Sequence, residues 1–192
     1  MAYAFKKKIA LPAIFFYFCK MEIRQNRDWN NKVWTISQGK KSCLVFSLKE
    51  YALFEQLQQQ GGFSADQCYL LVNEIGLLNI YFHEVPETSL DILEFTDRPV
   101  ALKLNGGRNV PAGMMAEDDR LNAFFMKAEH FGALARVQQP LVLVELKGGI
   151  SGQAWLQAEQ NLLILQDDSL RFPFKRREVA MGTNGDIKIK DL

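Results

Sequence analysis

The sequence predicts a single α/β domain, residues 1–192, with a twisted mixed parallel and antiparallel sheet covered by helices. Three observations predict it. Short runs rich in β-branched and aromatic residues are interspersed with stretches of helical period, the pattern of a sheet covered by helices. The tail from Val179 to Ile189 reads as a hairpin about Thr183-Asn184-Gly185-Asp186, so some pairing is antiparallel; Asn-Gly supplies the positive φ values that a tight turn needs. The chain is 192 residues long, with 48% hydrophobic and 23% charged residues, which suits one globular domain and excludes a disordered, collagen-like or coiled-coil protein.

The elements follow in order. Val33 to Ser37 and Ser42 to Ser47 read as strands separated by Gly39-Lys40-Lys41. Lys49 to Gln60 reads as a helix with Tyr51, Leu53, Phe54 and Leu57 on its apolar face, stopped by Gly61-Gly62. Cys68 to Val72 is a continuous apolar run of strand length. Pro86 opens a helix, with Glu87 and Asp91 near its positive end, and Pro99 stops it. Val100 to Leu104 alternates as a strand and turns at Asn105-Gly106-Gly107-Arg108-Asn109. Residues 121–137 read either as one long amphipathic helix or as a strand Leu121–Met126 followed by a helix from about Ala128 to Val137. Pro140 to Leu146 is the most apolar strand, and Leu162 to Leu165 is another.

Three cysteines without paired spacing argue against a disulfide framework and for a reducing, cytoplasmic setting. Lys6-Lys7-Lys8 before the apolar run Ile9 to Cys19 has the order of a signal peptide, but no small-residue cleavage site follows. The run is also shorter than the roughly 20 residues a membrane span needs, so no membrane partner is expected. Net charge is +1, so no global field draws in nucleic acid. Charge is nonetheless uneven: residues 1–60 carry ten Lys/Arg against four Asp/Glu, and residues 61–130 carry five against eleven. A basic end beside an acidic middle marks either an interaction surface or two solvated regions.

An ordered set of short segments carries a resemblance. Glu84-Val85-Pro86-Glu87, Asp91, Asp97-Arg98-Pro99-Val100, Gly107-Arg108-Asn109, Ala116-Glu117-Asp118, Phe131, Gln139-Pro140-Leu141-Val142 and Ile150-Ser151-Gly152-Gln153 follow one another at the spacing of the YrdC-like family. The tail Met181-Gly182-Thr183-Asn184-Gly185-Asp186-Ile187-Lys188-Ile189 resembles that family's closing hairpin. Members of this family, the threonylcarbamoyl-AMP synthases, join threonine, bicarbonate and ATP in tRNA modification. The resemblance implies a YrdC-like fold, with residues 67–190 family-like and 1–60 a divergent basic part. It also favours the strand-then-helix reading of residues 121–137.

The same comparison implies a lost site. The family's "PTDT" strand has only Asn31-Lys32-Val33-Trp34 as its nearest counterpart. Its "K-x-R" pair falls where this chain has Gln58-Gln59-Gln60 and Gln67, and its "GIRV" arginine falls around Phe124-Phe125. Its "STSAN" loop is replaced by Leu143-Val144-Glu145-Leu146-Lys147, and its "PSSI" serines fall near Arg177-Glu178-Val179. A triphosphate taken from water needs cations and donors, and Glu145 would repel it.

Some residues still suit ligand chemistry. Lys147 with Gly149 and Ser151 could receive an anion on backbone N–H groups and one cation, although the loop lacks the Gly-Lys-Ser/Thr of a phosphate loop. Arg108 sits in a Gly-Gly-Arg-Asn turn. Lys175, Arg176 and Arg177 with Phe172 and Phe174 form a basic-aromatic cluster of the kind that stacks on single-stranded nucleic acid. His83 with Glu87, and Glu117-Asp118-Asp119, are weak metal candidates, so no metal site is expected. No catalytic constellation is found, since the two histidines carry no nucleophile context. The expected function is therefore a non-catalytic YrdC-like binding or interaction module with no cofactor, its partner RNA, a nucleotide-like ligand or another protein. The alternative is an ATP- and Mg²⁺-using threonylcarbamoyl-AMP synthase whose site is rebuilt from Lys40, Lys41, Lys147 and Lys175–Arg177.

Overall fold

The computed structural model describes residues 29–30, 32–147, 163–167, 169–182 and 186–192. The N-terminal basic-apolar run, Gly149, Ser151 and the Thr183–Gly185 turn lie outside the described residues.

Among the described residues nine strands form one sheet in the order β7-β1-β2-β6-β3-β5-β4-β8-β9. They are β1 (Lys32–Gln38), β2 (Lys41–Ser47), β3 (Cys68–Val72), β4 (Val100–Leu104), β5 (Leu121–Phe125), β6 (Leu141–Leu146), β7 (Leu163–Gln166), β8 (Arg177–Met181) and β9 (Ile187–Asp191). The α-helices among the described residues are α1 (Tyr51–Gly61), α2 (Ile75–Tyr81), α3 (Glu87–Phe95) and the single turn α4 (Ala128–Phe131). Pairing is parallel at β1–β7, β3–β5 and β4–β8, and antiparallel at the other five junctions. The sheet is mixed, as the sequence predicts.

The strand sequences explain the layering. β3 is buried along its whole length, which is why it reads as an unbroken apolar run. Its even residues, Leu70 and Val72, join Leu44, Phe46 and Val142 on the side covered by Phe54 and Leu57 of α1, Leu78 of α2 and Leu93 of α3. Its odd residues, Tyr69 and Leu71, join Val45, Phe124 and Leu143 on the other side. That second side is covered by α4 and an extended segment: Phe131, Leu134, Leu170, Phe172 and Phe174. Phe172 lies 5.2 Å from Phe124, 6.0 Å from Phe131, 6.1 Å from Tyr69 and 5.2 Å from Phe174, ring centre to ring centre.

Two elements differ from expectation. The sequence pattern does not mark α2, a short helix with one buried side chain, Leu78, and too little period to read. The helix expected from Ala128 to Val137 is two short turns, α4 and a 3-10 turn at Ala133–Arg136. Gly132 separates them at φ 56°, ψ −126°, a backbone conformation that breaks any helix and favours glycine. The strand before it, β5, forms as the resemblance implied.

Candidate functional site

β3, β6 and β8 each project one polar side chain onto the extended-segment side of the sheet: Tyr69, Glu145 and Glu178. Arg176 enters among them with its side chain only 2% exposed. Its guanidinium makes a two-pronged contact with Glu145, Nη1 to Oε1 at 2.7 Å and Nη2 to Oε2 at 3.1 Å. Nη2 also donates to the Tyr69 hydroxyl and to Glu178 Oε1 at 3.3 Å. The Tyr69 hydroxyl in turn donates to Glu178 Oε1 at 3.1 Å. Lys103 on β4 closes the set, with Nζ 2.9 Å from Glu178 Oε2 and 3.8 Å from Asp66. The guanidinium carbon lies 4.7 Å from the Tyr69 ring centre and 5.4 Å from that of Phe172. The two cations, Arg176 and Lys103, are matched by the two inward carboxylates, Glu145 and Glu178, as buried charge requires, while Asp66 is exposed.

The electrostatics follow from that geometry. Burial pushes the Glu178 carboxyl up, but Lys103, Arg176 and the Tyr69 hydroxyl outweigh it and hold the group below the usual carboxylate range. Burial pushes the Tyr69 phenol well up, against Arg176, so it stays a neutral donor. Cys43 and Cys68 are buried thiols. Burial raises Cys68 to about 12 and lifts Cys43 as well, so neither supplies a thiolate nucleophile.

The structure divides the basic-aromatic cluster. Phe172 and Phe174 are buried against Phe124 and Tyr69, and Arg176 is buried with Glu145. Only Lys175 is exposed; Arg177 pairs with Asp191 on β9 at 2.8 and 3.2 Å. A single-strand platform needs exposed rings, and these rings are interior. The lysines behave differently. The β2–β6 register pairs Ser42 with Leu146, which brings Lys41 and Lys147 to the same end of the sheet. Lys41 Nζ also reaches the Phe174 carbonyl at 3.5 Å, next to Lys175. Among the described residues, no group of three or more His, Cys, Asp or Glu is placed to hold a metal ion.

Gln58 and Gln67 have structural partners. Gln67 Nε2 donates to the Glu145 carbonyl at 2.8 Å, and Gln58 Nε2 donates to the carbonyls of Phe63 and Gly113. The sequence reading missed Tyr69 and Lys103 as polar-site residues. The available signal was a lysine at an inward position of an otherwise apolar strand.

Arg108 is a staple. Its Nε donates to the Ile80 carbonyl at 3.2 Å and its Nη2 to the Asn79 carbonyl at 2.7 Å, while Asn109 Nδ2 donates to Ile80 at 2.8 Å. Beside this turn His83 N donates to the Gly106 carbonyl, a bond within the wall of a cavity of about 410 Å³. Leu104, Met181 and Pro86 supply its apolar surface, and His83, Glu84 and Asn105 its polar groups. Among the described residues no lysine or arginine lines it. It suits a neutral or cationic group of nucleoside size or less, and not a triphosphate. Arg108→Met removes two side-chain bonds and is expected to cost about 1 kcal/mol in urea denaturation, since the carbonyls it holds stay near water.

No helix among the described residues is long and apolar enough to cross a membrane. Neither a protein-family model nor a curated protein sequence matches the chain. Solved structures do. The fold is similar to P. abyssi Sua5 complexed with L-threonine, at TM-score 0.59 and 13% identity over 85% of this chain and 51% of that one. It is similar to E. coli YciO, at TM-score 0.57 and 10% identity over 93% of this chain and 90% of that one. It is also similar to full-length HypF in the phosphate- and nucleotide-bound form, at TM-score 0.55 and 14% identity over 89% of this chain and 28% of that one. The chain spans about half the length of the Sua5 chains. At these identities the likeness is one of architecture: the chain has the α/β fold of the Sua5 and YrdC-like structures.

Proposed function

We propose that the chain is a YrdC-like binding module without threonylcarbamoyl-AMP synthase chemistry, taking a small neutral or cationic ligand, nucleoside-like in size, in place of ATP and threonine. The observation that carries this reading is the Arg176 network. The resemblance sets the family's ligand contacts against Gln58-Gln59-Gln60 and Gln67, Phe124-Phe125, Leu143 to Lys147 and Arg177-Glu178-Val179. Within those stretches Gln67 donates to the Glu145 carbonyl, Glu145 and Glu178 hold Arg176, and the Phe124 ring centre lies 5.6 Å from the Arg176 guanidinium carbon. A phosphate entering there would have to displace two carboxylates that already hold Arg176 and Lys103, and a magnesium ion would have to take those carboxylates from them. The donor set does not fit a magnesium triphosphate. The fold likeness to Sua5 supports a role near tRNA or nucleotides as a setting, since function belongs to the site.

A second reading rests on the lysine end. Lys40, Lys41, Lys147 and Lys175 are exposed, and Lys41 stands between the β6 end and the Phe174 carbonyl. A rebuilt ATP site would use them. Isothermal titration with ATP and with threonine in Mg²⁺ buffer separates the two. The binding-module reading expects no heat with either up to millimolar concentration. Micromolar ATP binding that is lost in Lys41→Ala and Lys147→Ala would establish the rebuilt site instead.

A further inference from the structure

Among the described residues β9 ends the sheet, paired on one side with β8 and open on the other. All five of its residues are exposed. Ile187 and Ile189 stand opposite Met181 and Val179, so they continue the helix-covered side of the core beyond its cover, at 48% and 61% exposure. α3, which reaches Met181 through Thr88 and Ser89, leaves Phe95 78% exposed at its end. Lys188 and Lys190 alternate with the isoleucines and face the other side of the sheet.

We propose that this edge is a docking site for an extended, acidic segment of another protein, added as a tenth strand beside β9. Open backbone donors and acceptors along the edge supply the pairing. The alternation supplies selection: apolar residues of the partner lie on Ile187 and Ile189, and its Asp or Glu residues lie opposite Lys188 and Lys190. The same lysines exclude a second copy of this chain. Antiparallel self-pairing centred on Ile189 keeps the apolar side continuous, but it sets Lys188 opposite Lys190 on both ends and Ile187 opposite Asp191. Edge lysines commonly guard against like strands, and here they leave a strand of opposite charge as the complement. The proposal is independent of what the buried Arg176 network does.

The experiment uses the whole chain and two fluorescent peptides, one alternating Glu with Val and one alternating Lys with Val, read by anisotropy. The Glu–Val peptide is expected to bind, to weaken as salt rises, and to outbind the Lys–Val peptide by about tenfold or more. The double variant K188E/K190E should reverse that preference; its side chains are exposed, and circular dichroism checks that it folds. Ile189→Thr should weaken the Glu–Val peptide without changing the charge preference. Equal binding of the two peptides, no binding of the Glu–Val peptide, or a concentration-dependent dimer in sedimentation that Ile189→Asp abolishes would each overturn the proposal.

Discussion

Arg176→Ala is expected to lose about 3–5 kcal/mol of folding stability, because it leaves Glu145 and Glu178 facing each other without their shared cation. The argument rests on the partner geometry. The guanidinium holds both Glu145 oxygens, one Glu178 oxygen and the Tyr69 hydroxyl, so four polar atoms lose a donor at once. Guanidinium denaturation of the variant reads the loss directly. Arg176→Met keeps much of the contact with Tyr69 and Phe172 and should still lose most of the stability, because charge imbalance and not volume is the dominant defect. A loss below about 1 kcal/mol would mean that Arg176 is solvated and free to meet a ligand, and the binding-module reading would fall with it. The network also sets a pH dependence. Glu178 is held below its ordinary value of 4.5, so its contribution is present above that value and is lost as pH falls through the lower folded one. The wild-type chain should therefore weaken below about pH 4.5 more steeply than Glu178→Gln does, and parallel profiles would show that Glu178 is not the titrating group.

The strands were legible because their chemistry is local. β3 and β6 are apolar runs bounded by turns, and β1 and β2 are β-branched and aromatic runs around a glycine turn, so composition alone marks them. α2 was illegible for the converse reason: its formation depends on Leu78 finding the core, a tertiary fact. The break at Gly132 was visible as a glycine, yet the apolar period ran through it and suggested continuity. Arg176 is the most instructive case. In sequence it stands between Lys175 and Arg177, so it reads as one member of a solvated or ligand-binding triplet. Its partners come from 31 and 107 residues away, and only the sheet order β6-β3-β5-β4-β8 brings them to one face. Glu145 gave a hint, as the one charge inside the most apolar strand. A carboxylate at a half-buried position of an apolar strand implies a cation beside it, but nothing in the sequence says which cation.

Phe172→Ala is expected to cost about 3–5 kcal/mol, the usual range for removing a buried phenyl ring. The ring sits at the centre of a cluster, in contact with Tyr69, Phe124, Phe131 and Phe174, and it also stacks near the Arg176 guanidinium. Its loss leaves a cavity that strands cannot collapse to fill, because β3, β5 and β6 are fixed by pairing on both sides. Urea denaturation gives the magnitude, and the outcome bears on function as well as stability. The segment carrying Phe172 and Phe174 covers the sheet side on which Arg176, Glu145 and Glu178 meet. If the ring contributes its full packing energy, that cover is part of the folded core, and opening it for a ligand would cost several kcal/mol before any binding was gained. A cost below about 1.5 kcal/mol, with the fold intact, would make the segment a lid that opens readily. The sheet face beneath it, Arg176 included, would then be available to a ligand after all. The four ring contacts favour the first outcome, because a lid that must open in each binding event is drawn from the weakly packed part of a structure, and this segment belongs to its interior.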